Sequence, residues 1–346
     1  MKKYNANFVR NHLTTTLDES FIPNEIFLKS YFNQIPHDLY KFRACNDDNF
    51  KALEEEYVWL TTADKYTGDL VDSTLLYETS KQRHKIARVI KNHLPNLIVK
   101  ELKKHFEKKG FKVDPAIINP EAINAYATQY NYKSGYPNFS KIRSHLLVHG
   151  IKPVAITQYE NYVKNIFNNG MIEKIADKFI KGINSLNKTV QRYNYVSSFT
   201  STYKNNFLWE FYAEKRRGFC IHYDLSKLED FGFDYYPYLY AFTPMFYAKR
   251  KEADISKVLD LALNQFLGDI KLDKIKEVNV ELGVQIRNKE EKYNGEEEWR
   301  LFLDRKKVRN PIHKFPFTTA VYAGEDIKKI DFDKLLVICK KKGFRL

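Results

Sequence analysis

The apolar positions of this chain change period along its length, and the central stretch is the most informative. Tyr195-Val196-Ser197-Ser198-Phe199-Thr200 reads as a short strand, and Gly218–Asp224 (GFCIHYD) as a second. Between them lies the aromatic run Phe207-Leu208-Trp209-Glu210-Phe211-Tyr212-Ala213, a turn or helix in which Trp209 and Tyr212, three apart, share a face. Hydroxyls crowd the end of the first strand: Ser197, Ser198, Thr200, Ser201 and Thr202. Two readings fit. One is a buried β-turn-helix-β core unit. The other is a strand end presenting hydroxyls beside an aromatic wall, which suits a ligand with a sugar and a ring.

Before this stretch, residues 1–36 are polar and mixed, punctuated by Pro23 and Pro36, with a short helix pattern over Asn24–Phe32. Asp38–Arg43 alternates apolar and charged side chains as a strand does. Asn46-Asp47-Asp48 offers caps for a helix over Asn49–Glu56. Tyr57–Thr62 reads as a strand, and Asp64–Asp72 as a loop with Gly68. From Ser80 to about Lys188 the spacing turns helical: Ile86, Val89, Ile90 and Leu94, then Leu97, Ile98, Leu102 and Phe106, with Pro95 expected to split the run. Further helices are expected over 121–129, 142–148 and 157–186.

After the centre, Phe242–Tyr247 reads as a strand, which Pro244 confines to a sheet edge. Helices follow over 254–266 and 271–284. Strands are expected from Glu298 and over Thr318–Ala323, and Cys339 ends a strand-like apolar run from Lys334. Strands at both ends with helices between them give an α+β fold: a mixed or antiparallel sheet core with a large helical insertion. The expected division is a lead-in over 1–36, a core from 37–80 and 190–346, and a helical insertion over 81–189.

Bulk properties narrow the class. With 43% hydrophobic residues over 346 positions, the chain can bury a sizeable core. The net charge of +14 favours nucleic acid, an anionic surface or a phosphate-bearing ligand. Much of that charge falls in the helical region, where Lys81, Arg83, Lys85, Arg88, Lys103 and Lys104 are candidates for phosphate-backbone contact, with a solvated helix face as the other reading. Cys45, Cys220 and Cys339 are far apart and form no CxxC pair, so neither a disulfide framework nor a zinc site is indicated. No apolar run approaches the roughly 20 residues of a membrane span, and no apolar leader follows Met1. The expectation is a soluble protein of a reducing compartment, the cytoplasm, with no metal.

Glycine-rich nucleotide loops, HExxH and GxSxG are all missing from the sequence. What remains is Arg43 at the end of one strand, Ser198, Thr200 and Ser201 at the end of another, and Glu296 and Glu298 at the start of a third. As i and i+2 on a strand, the two glutamates would face one cleft, and mutual repulsion would raise one pKa and suit it to acid–base work. A triple glutamate is also an ordinary solvated charge run.

Four blocks resemble the bacterial family of domain of unknown function 2971. They are Leu39-Tyr40-Lys41-Phe42-Arg43; Trp59-Leu60-Thr61 with Tyr66-Thr67-Gly68-Asp69; Ser198-Phe199-Thr200 with Leu208-Trp209, Tyr212-Ala213 and Gly218-Phe219-Cys220-Ile221; and Tyr293 with Glu296-Glu297-Glu298-Trp299-Arg300-Leu301. The family's Phe-Asn-Asp-Pro motif is replaced here by Tyr66-Thr67-Gly68-Asp69-Leu70. The order Arg, Ser/Thr, Glu-x-Glu is in turn similar to that of ADP-ribosyltransferases, some of which are toxins or defence effectors. That second resemblance implies NAD as substrate and a protein or nucleic-acid acceptor. Arg43 would hold the NAD phosphate, and Thr200 or Ser201 would support the nicotinamide ribose. Trp209 or Tyr212 would stack on nicotinamide. Glu298 would stabilise the oxocarbenium ion and Glu296 would orient or deprotonate the acceptor. Two other readings stay open: a non-catalytic nucleic-acid-binding protein using the basic helices, and a metal-dependent nucleotide or phosphodiester hydrolase using Asp64, Asp69 and Asp72.

Overall fold

A computed structural model describes residues 4–16, 30–65, 73–108, 171–227, 241–269, 272–306 and 310–346, together with 143–144, 147–148, 152–154, 156–157, 160–161 and 308. It divides into two compact units, one of residues 1–76, 186–251 and 279–346 and one of 77–185 and 252–278.

The first unit is built on an antiparallel sheet. Along the whole chain, the elements of both units begin with α1 (Ala6–Thr16), β1 (Asp38–Arg43), α2 (Asp47–Glu54), β2 (Tyr57–Trp59) and β3 (Thr61–Thr62). The helices α3 (Thr79–Lys108) and α4 (Met171–Tyr193) precede β4 (Asn194–Thr200), α5 (Asn206–Tyr212) and β5 (Phe219–Asp224). Then come β6 (Phe242–Pro244), β7 (Phe246–Tyr247), α6 (Ile255–Leu267), α7 (Leu272–Ile286) and β8 (Asn288–Lys289). The chain closes with β9 (Glu298–Asp304), β10 (Ile312–Lys314), β11 (Thr318–Ala323) and α8 (Lys329–Lys342). The main sheet runs β11-β5-β1-β4-β9-β6, with β3 also on β4, and all its pairings are antiparallel. The α+β expectation therefore holds.

Alternation along these strands sorts side chains onto two faces. Leu39, Phe199, Ile221, Tyr223, Trp299 and Leu301 enter one core with Phe50 and Leu53 of α2 and Leu335 and Ile338 of α8. Aromatic contacts dominate it: the Phe199 ring meets those of Tyr223, Phe242 and Phe315 at 5.6, 5.5 and 5.3 Å. Each such pair is worth about 0.5–1.5 kcal/mol beyond the area it buries. The opposite face carries Tyr40, Phe42, Cys220 and Tyr322, with Tyr203 and Leu208, Trp209 and Ala213 packed there. β1 and β4 meet at one pair, Tyr40 with Thr200, whereas each pairs along its length with its other neighbour.

Local chemistry explains several boundaries. The Asn46 side chain accepts the Asn49 N–H at 2.8 Å and starts α2, as the capping residues predict. Pro244 sits in β6 at the edge of the sheet, where a missing donor costs no ladder bond. Gly218 and Gly324 let backbones touch: a Cβ at Gly324 would lie 1.9 Å from the Arg216 carbonyl oxygen.

Other expectations change. The run ending at Cys339 is helical, because Leu335, Ile338 and Cys339 make a buried i, i+3, i+4 stripe. Gly343 at φ 73° closes α8 after three lysines, which suit the negative end of its dipole. Pro95 does not split α3, which runs unbroken over Thr79–Lys108. A proline removes one bond of the ladder, and a helix this long keeps the rest. The lead-in is not peripheral: Val9 and Leu13 of α1 pack with Phe246, Val280 and Val284, and Tyr31, Phe32 and Ile35 join the main core. The helices expected over 24–32 and 121–129 lie mostly or wholly outside the described residues, as does the loop over 66–72.

The second unit takes residues 252–278, which the sequence division assigned to the core. The reason is pairing between α3 and the start of α6, where Lys85 Nζ lies 3.1 Å from Asp254 Oδ2 and His93 Nε2 lies 2.7 Å from Asp260 Oδ1. Among the described residues no helix is long and apolar enough to cross a membrane.

Candidate functional site

Register places the polar face in order. Tyr40 pairs with Thr200, Thr200 with Glu298, and His222 with Tyr40, so these four stand in one row across four strands. At strand spacings of about 4.8 Å, the row from His222 to Glu298 spans roughly 14 Å.

Glu298 opens β9 and is buried. Arg300, two residues on and therefore on the same face, places Nε 2.7 Å from Oε1 and Nη2 3.0 Å from Oε2. Arg300 Nη1 also reaches Ser73 Oγ at 3.2 Å. Lys289, from the short β8, lies 3.0 Å from Glu298 Oε2 and 2.5 Å from Glu296 Oε2. The Ser198 hydroxyl bonds the Glu298 carboxylate, and the Glu298 N–H donates to the Tyr247 hydroxyl at 2.9 Å. β8 is held in place by its parallel pairing with β7, Phe246 with Asn288 and Tyr247 with Lys289.

The two glutamates converge, but not as i and i+2 of one strand. Glu296 ends a 3₁₀ turn over Glu291–Glu296, and Glu297 takes the left-handed conformation at φ 45° before β9 begins. That conformation costs a non-glycine residue roughly 1–2 kcal/mol. Ser201 helps hold it, its N–H bonding the Glu297 carbonyl at 3.3 Å and its Oγ donating to Glu297 Oε2 at 2.9 Å.

The environments of the pair pull apart. Burial pushes the Glu298 carboxyl up, but Arg300 and Lys289 outweigh it and hold the carboxyl low, at about 2. Glu296 is raised, by burial first and by the Glu298 charge second, against the pull of Lys289. Burial disfavours the Lys289 ammonium, yet Glu298 and Glu296 hold its pKa above the ordinary lysine value.

The other sequence candidates divide. Thr200 is buried in the row beside Glu298, and its Oγ1 accepts the Thr202 N–H at 3.3 Å. Ser201 is committed to Glu297. Tyr212 lies near the glutamates: burial, then Glu296 and Glu298, raise its hydroxyl pKa, while the residue stays 55% exposed. Trp209 instead donates Nε1–H to the Tyr203 carbonyl at 2.8 Å and stands edge-on to Phe42 at 4.9 Å. Arg43 is not brought to the site. It lies three residues from Tyr40 on β1, so alternation turns it to the other face, where burial lowers its pKa.

The basic helix is largely answered by carboxylates. Lys81 pairs with Glu78 at 2.5 Å and Glu252 at 3.6 Å, Arg83 with Asp177 at 3.2 Å, and Lys85 with Asp254 at 3.1 Å. Arg88 and Lys104 are exposed, and the side chain of Lys103 lies outside the described residues. Of the acidic loop, Asp64 pairs with Arg192 at 2.7 Å, while Asp69 and Asp72 lie outside the described residues.

Sequence reasoning missed Lys289, Tyr247 and Ser73, and used Arg300 only as part of a motif. Arg300 could have been found, since it sits two residues from Glu298 on a strand. Lys289 gave no signal, because a lone lysine between helix and turn has no periodicity to read.

No curated protein and no solved structure matches the chain. Residues 208–301, from the aromatic helix through Glu298 and Arg300, match the family described as Protein of unknown function (DUF2971), and over that segment the resemblance carried by the motifs holds.

Proposed function

We propose that the chain is an ADP-ribosyltransferase-like enzyme that breaks the nicotinamide–ribose bond of NAD and passes the ADP-ribosyl group to a protein or nucleic-acid acceptor. The observation that carries this reading is the convergence of Glu298 and Glu296 on Lys289, in environments that separate their pKa values. Glu298, kept ionised and fixed in its plane by Arg300, supplies negative charge and an acceptor for a ribose hydroxyl. Glu296, the more basic carboxylate, takes the acceptor's proton. Thr200 and Ser198 line the same face, and the half-exposed Tyr212 ring offers a wall for nicotinamide. In the reaction the C1′–N bond breaks with its electron pair going to nicotinamide. The acceptor then bonds C1′ and yields its proton to Glu296. Arg43 has no part in this scheme. Three free thiols, Cys45, Cys220 and Cys339, support a cytoplasmic setting.

The test is nicotinamide release from NAD with cell lysate as acceptor, for wild type, Glu298→Gln, Glu296→Gln and Thr200→Val, each checked for native circular dichroism. Removing one such electrostatic group lowers turnover by about 10²–10³-fold. A folded wild type that releases no nicotinamide overturns the reading.

A further inference from the structure

We propose that Asp38, His222 and Thr319 form a second, separate site, a nucleophilic triad that acts on carboxylic esters. His222 on β5 is buried, and both ring nitrogens are engaged: Nε2 with Asp38 Oδ1 at 2.6 Å and Nδ1 with Thr319 Oγ1 at 2.7 Å. A carboxylate accepts hydrogen bonds, so Nε2 carries the proton and Nδ1 is left to accept the Thr319 hydroxyl proton. Nucleophile, base and orienting acid thus stand in sequence, the arrangement that activates an otherwise weak hydroxyl.

The backbone is shaped for this contact. β11 pairs Thr318 with Tyr223 and Ala320 with His222, so Thr319 is the extra residue of a bulge. A bulge places two residues opposite one and re-aims a side chain, here bringing Thr319 Oγ1 onto the face of His222. In a regular ladder Thr319 would point to the opposite face. The surroundings hold the imidazole and leave the ends of the chain of groups open. Tyr40 stacks on His222 at 4.9 Å, and Tyr203 and Tyr322 stack on each other at 4.6 Å beside it. Thr319 is half-buried and the Asp38 side chain is 62% exposed. The aromatic rings favour an ester with an aromatic leaving group.

In the reaction Thr319 Oγ1 bonds the ester carbonyl carbon while its proton passes to His222 Nδ1, and Asp38 holds the resulting imidazolium. The C–O bond to the leaving alcohol then breaks. The alcohol departs with the electron pair and takes the proton from Nδ1. Water adds to the acyl-threonine, giving a proton to Nδ1. Collapse releases the carboxylic acid and returns that proton to Oγ1.

The experiment is mixing of the full chain with para-nitrophenyl acetate, followed by absorbance and by peptide mass mapping. Wild type is expected to release one equivalent of nitrophenolate in a burst and to carry the acetyl group on Thr319. Glu298→Gln retains the burst, which separates this site from the one proposed above. Thr319→Ser retains it and Thr319→Val abolishes it, while His222→Gln slows it by about 10²–10⁴-fold. If His222→Gln does not fold, Thr319→Val decides, since it keeps the side-chain shape. A wild type without a burst, a burst undiminished in folded Thr319→Val, or acetylation confined to lysines overturns the proposal.

Discussion

Arg300 grips the Glu298 carboxylate with two nitrogens, Nε 2.7 Å from Oε1 and Nη2 3.0 Å from Oε2, in a pair that is almost wholly buried. Two such ions leave water at a high cost, and the fork-shaped match, with Lys289 as a third partner, offsets it. The same contacts that fix the plane of the Glu298 carboxylate therefore also tie β9 to β8 within the first unit.

Truncating Glu298 should for that reason destabilise the fold. Glu298→Ala leaves Arg300 and Lys289 buried without their shared anion, a loss of about 3–5 kcal/mol. Glu298→Gln keeps an acceptor oxygen and should lose less. Urea unfolding of wild type and both variants measures this, with the midpoint moving and the slope unchanged. A Glu298→Ala protein within about 0.5 kcal/mol of wild type would mean that the pair is hydrated in solution.

The two glutamates should give opposite pH dependences. Glu298 is depressed on folding, so its contribution is fully present above the unfolded value of about 4.3 and is lost as pH falls towards about 2. Glu296 is raised on folding, so its contribution is present below about 4.3 and is lost as pH rises through its folded value. As pH rises from about 4.3 through the folded value, wild type should lose stability relative to Glu296→Gln, by about 1.4 kcal/mol for each unit that Glu296 is raised. Urea midpoints across that range give the difference curve. A flat curve would place Glu296 in water.

Much of the sheet could be read beforehand, and the reasons are particular. Asp38–Arg43 and Tyr195–Thr200 alternate, and Asn46 is a strong cap, so local rules and tertiary structure agree there. The sequence could not settle the run at Cys339, where five apolar residues in a row carry no period until Gly343 and the lysines are counted as a helix end. Nor could it supply Lys289, which reaches Glu296 and Glu298 only because β8 pairs with the distant β7. Arg43 was open to a better reading: its odd spacing from Tyr40 already puts it on the other face.

Gly324 should tolerate no side chain. A Cβ there would meet the Arg216 carbonyl oxygen at 1.9 Å and the Gly218 carbonyl oxygen at 2.8 Å. Both are backbone atoms, and the Gly324 N–H bonds the Gly218 carbonyl at 2.9 Å, so neither chain can move aside alone. Gly324→Ala is expected to cost about 1–3 kcal/mol or more, read from the urea midpoint. Gly295→Ala, where a methyl group would meet open space, serves as the control and should stay within about 0.5 kcal/mol.

The basic face of α3 should bind nucleic acid weakly. Lys81, Arg83 and Lys85 are already paired with acids, and a phosphate would have to displace them. Replacing all three by alanine should change affinity for a DNA duplex by less than about threefold and leave the slope of affinity against salt nearly unchanged. Fluorescence anisotropy over a salt series measures both. A slope that falls by about three on substitution would restore the nucleic-acid-binding reading.

Lys41 tests how the sheet is held where β1 and β4 share one pair. Its ammonium is buried, donates to Ser197 Oγ at 3.0 Å and to the Ser198 carbonyl at 2.5 Å, and lies 4.7 Å from the centre of the Phe199 ring. Burial, with Arg43 nearby, pushes its pKa well below the ordinary lysine value. The unfolded chain therefore binds the proton more tightly, and wild type should gain stability as pH rises towards about 10.4. Lys41→Met keeps the length and removes the charge. It should be the more stable protein near neutral pH, by about 1–4 kcal/mol if it behaves like other buried charges replaced by apolar residues, with the advantage shrinking as pH rises. A variant that is less stable by an amount independent of pH would show instead that the two hydrogen bonds across β1 and β4 outweigh the burial of the charge.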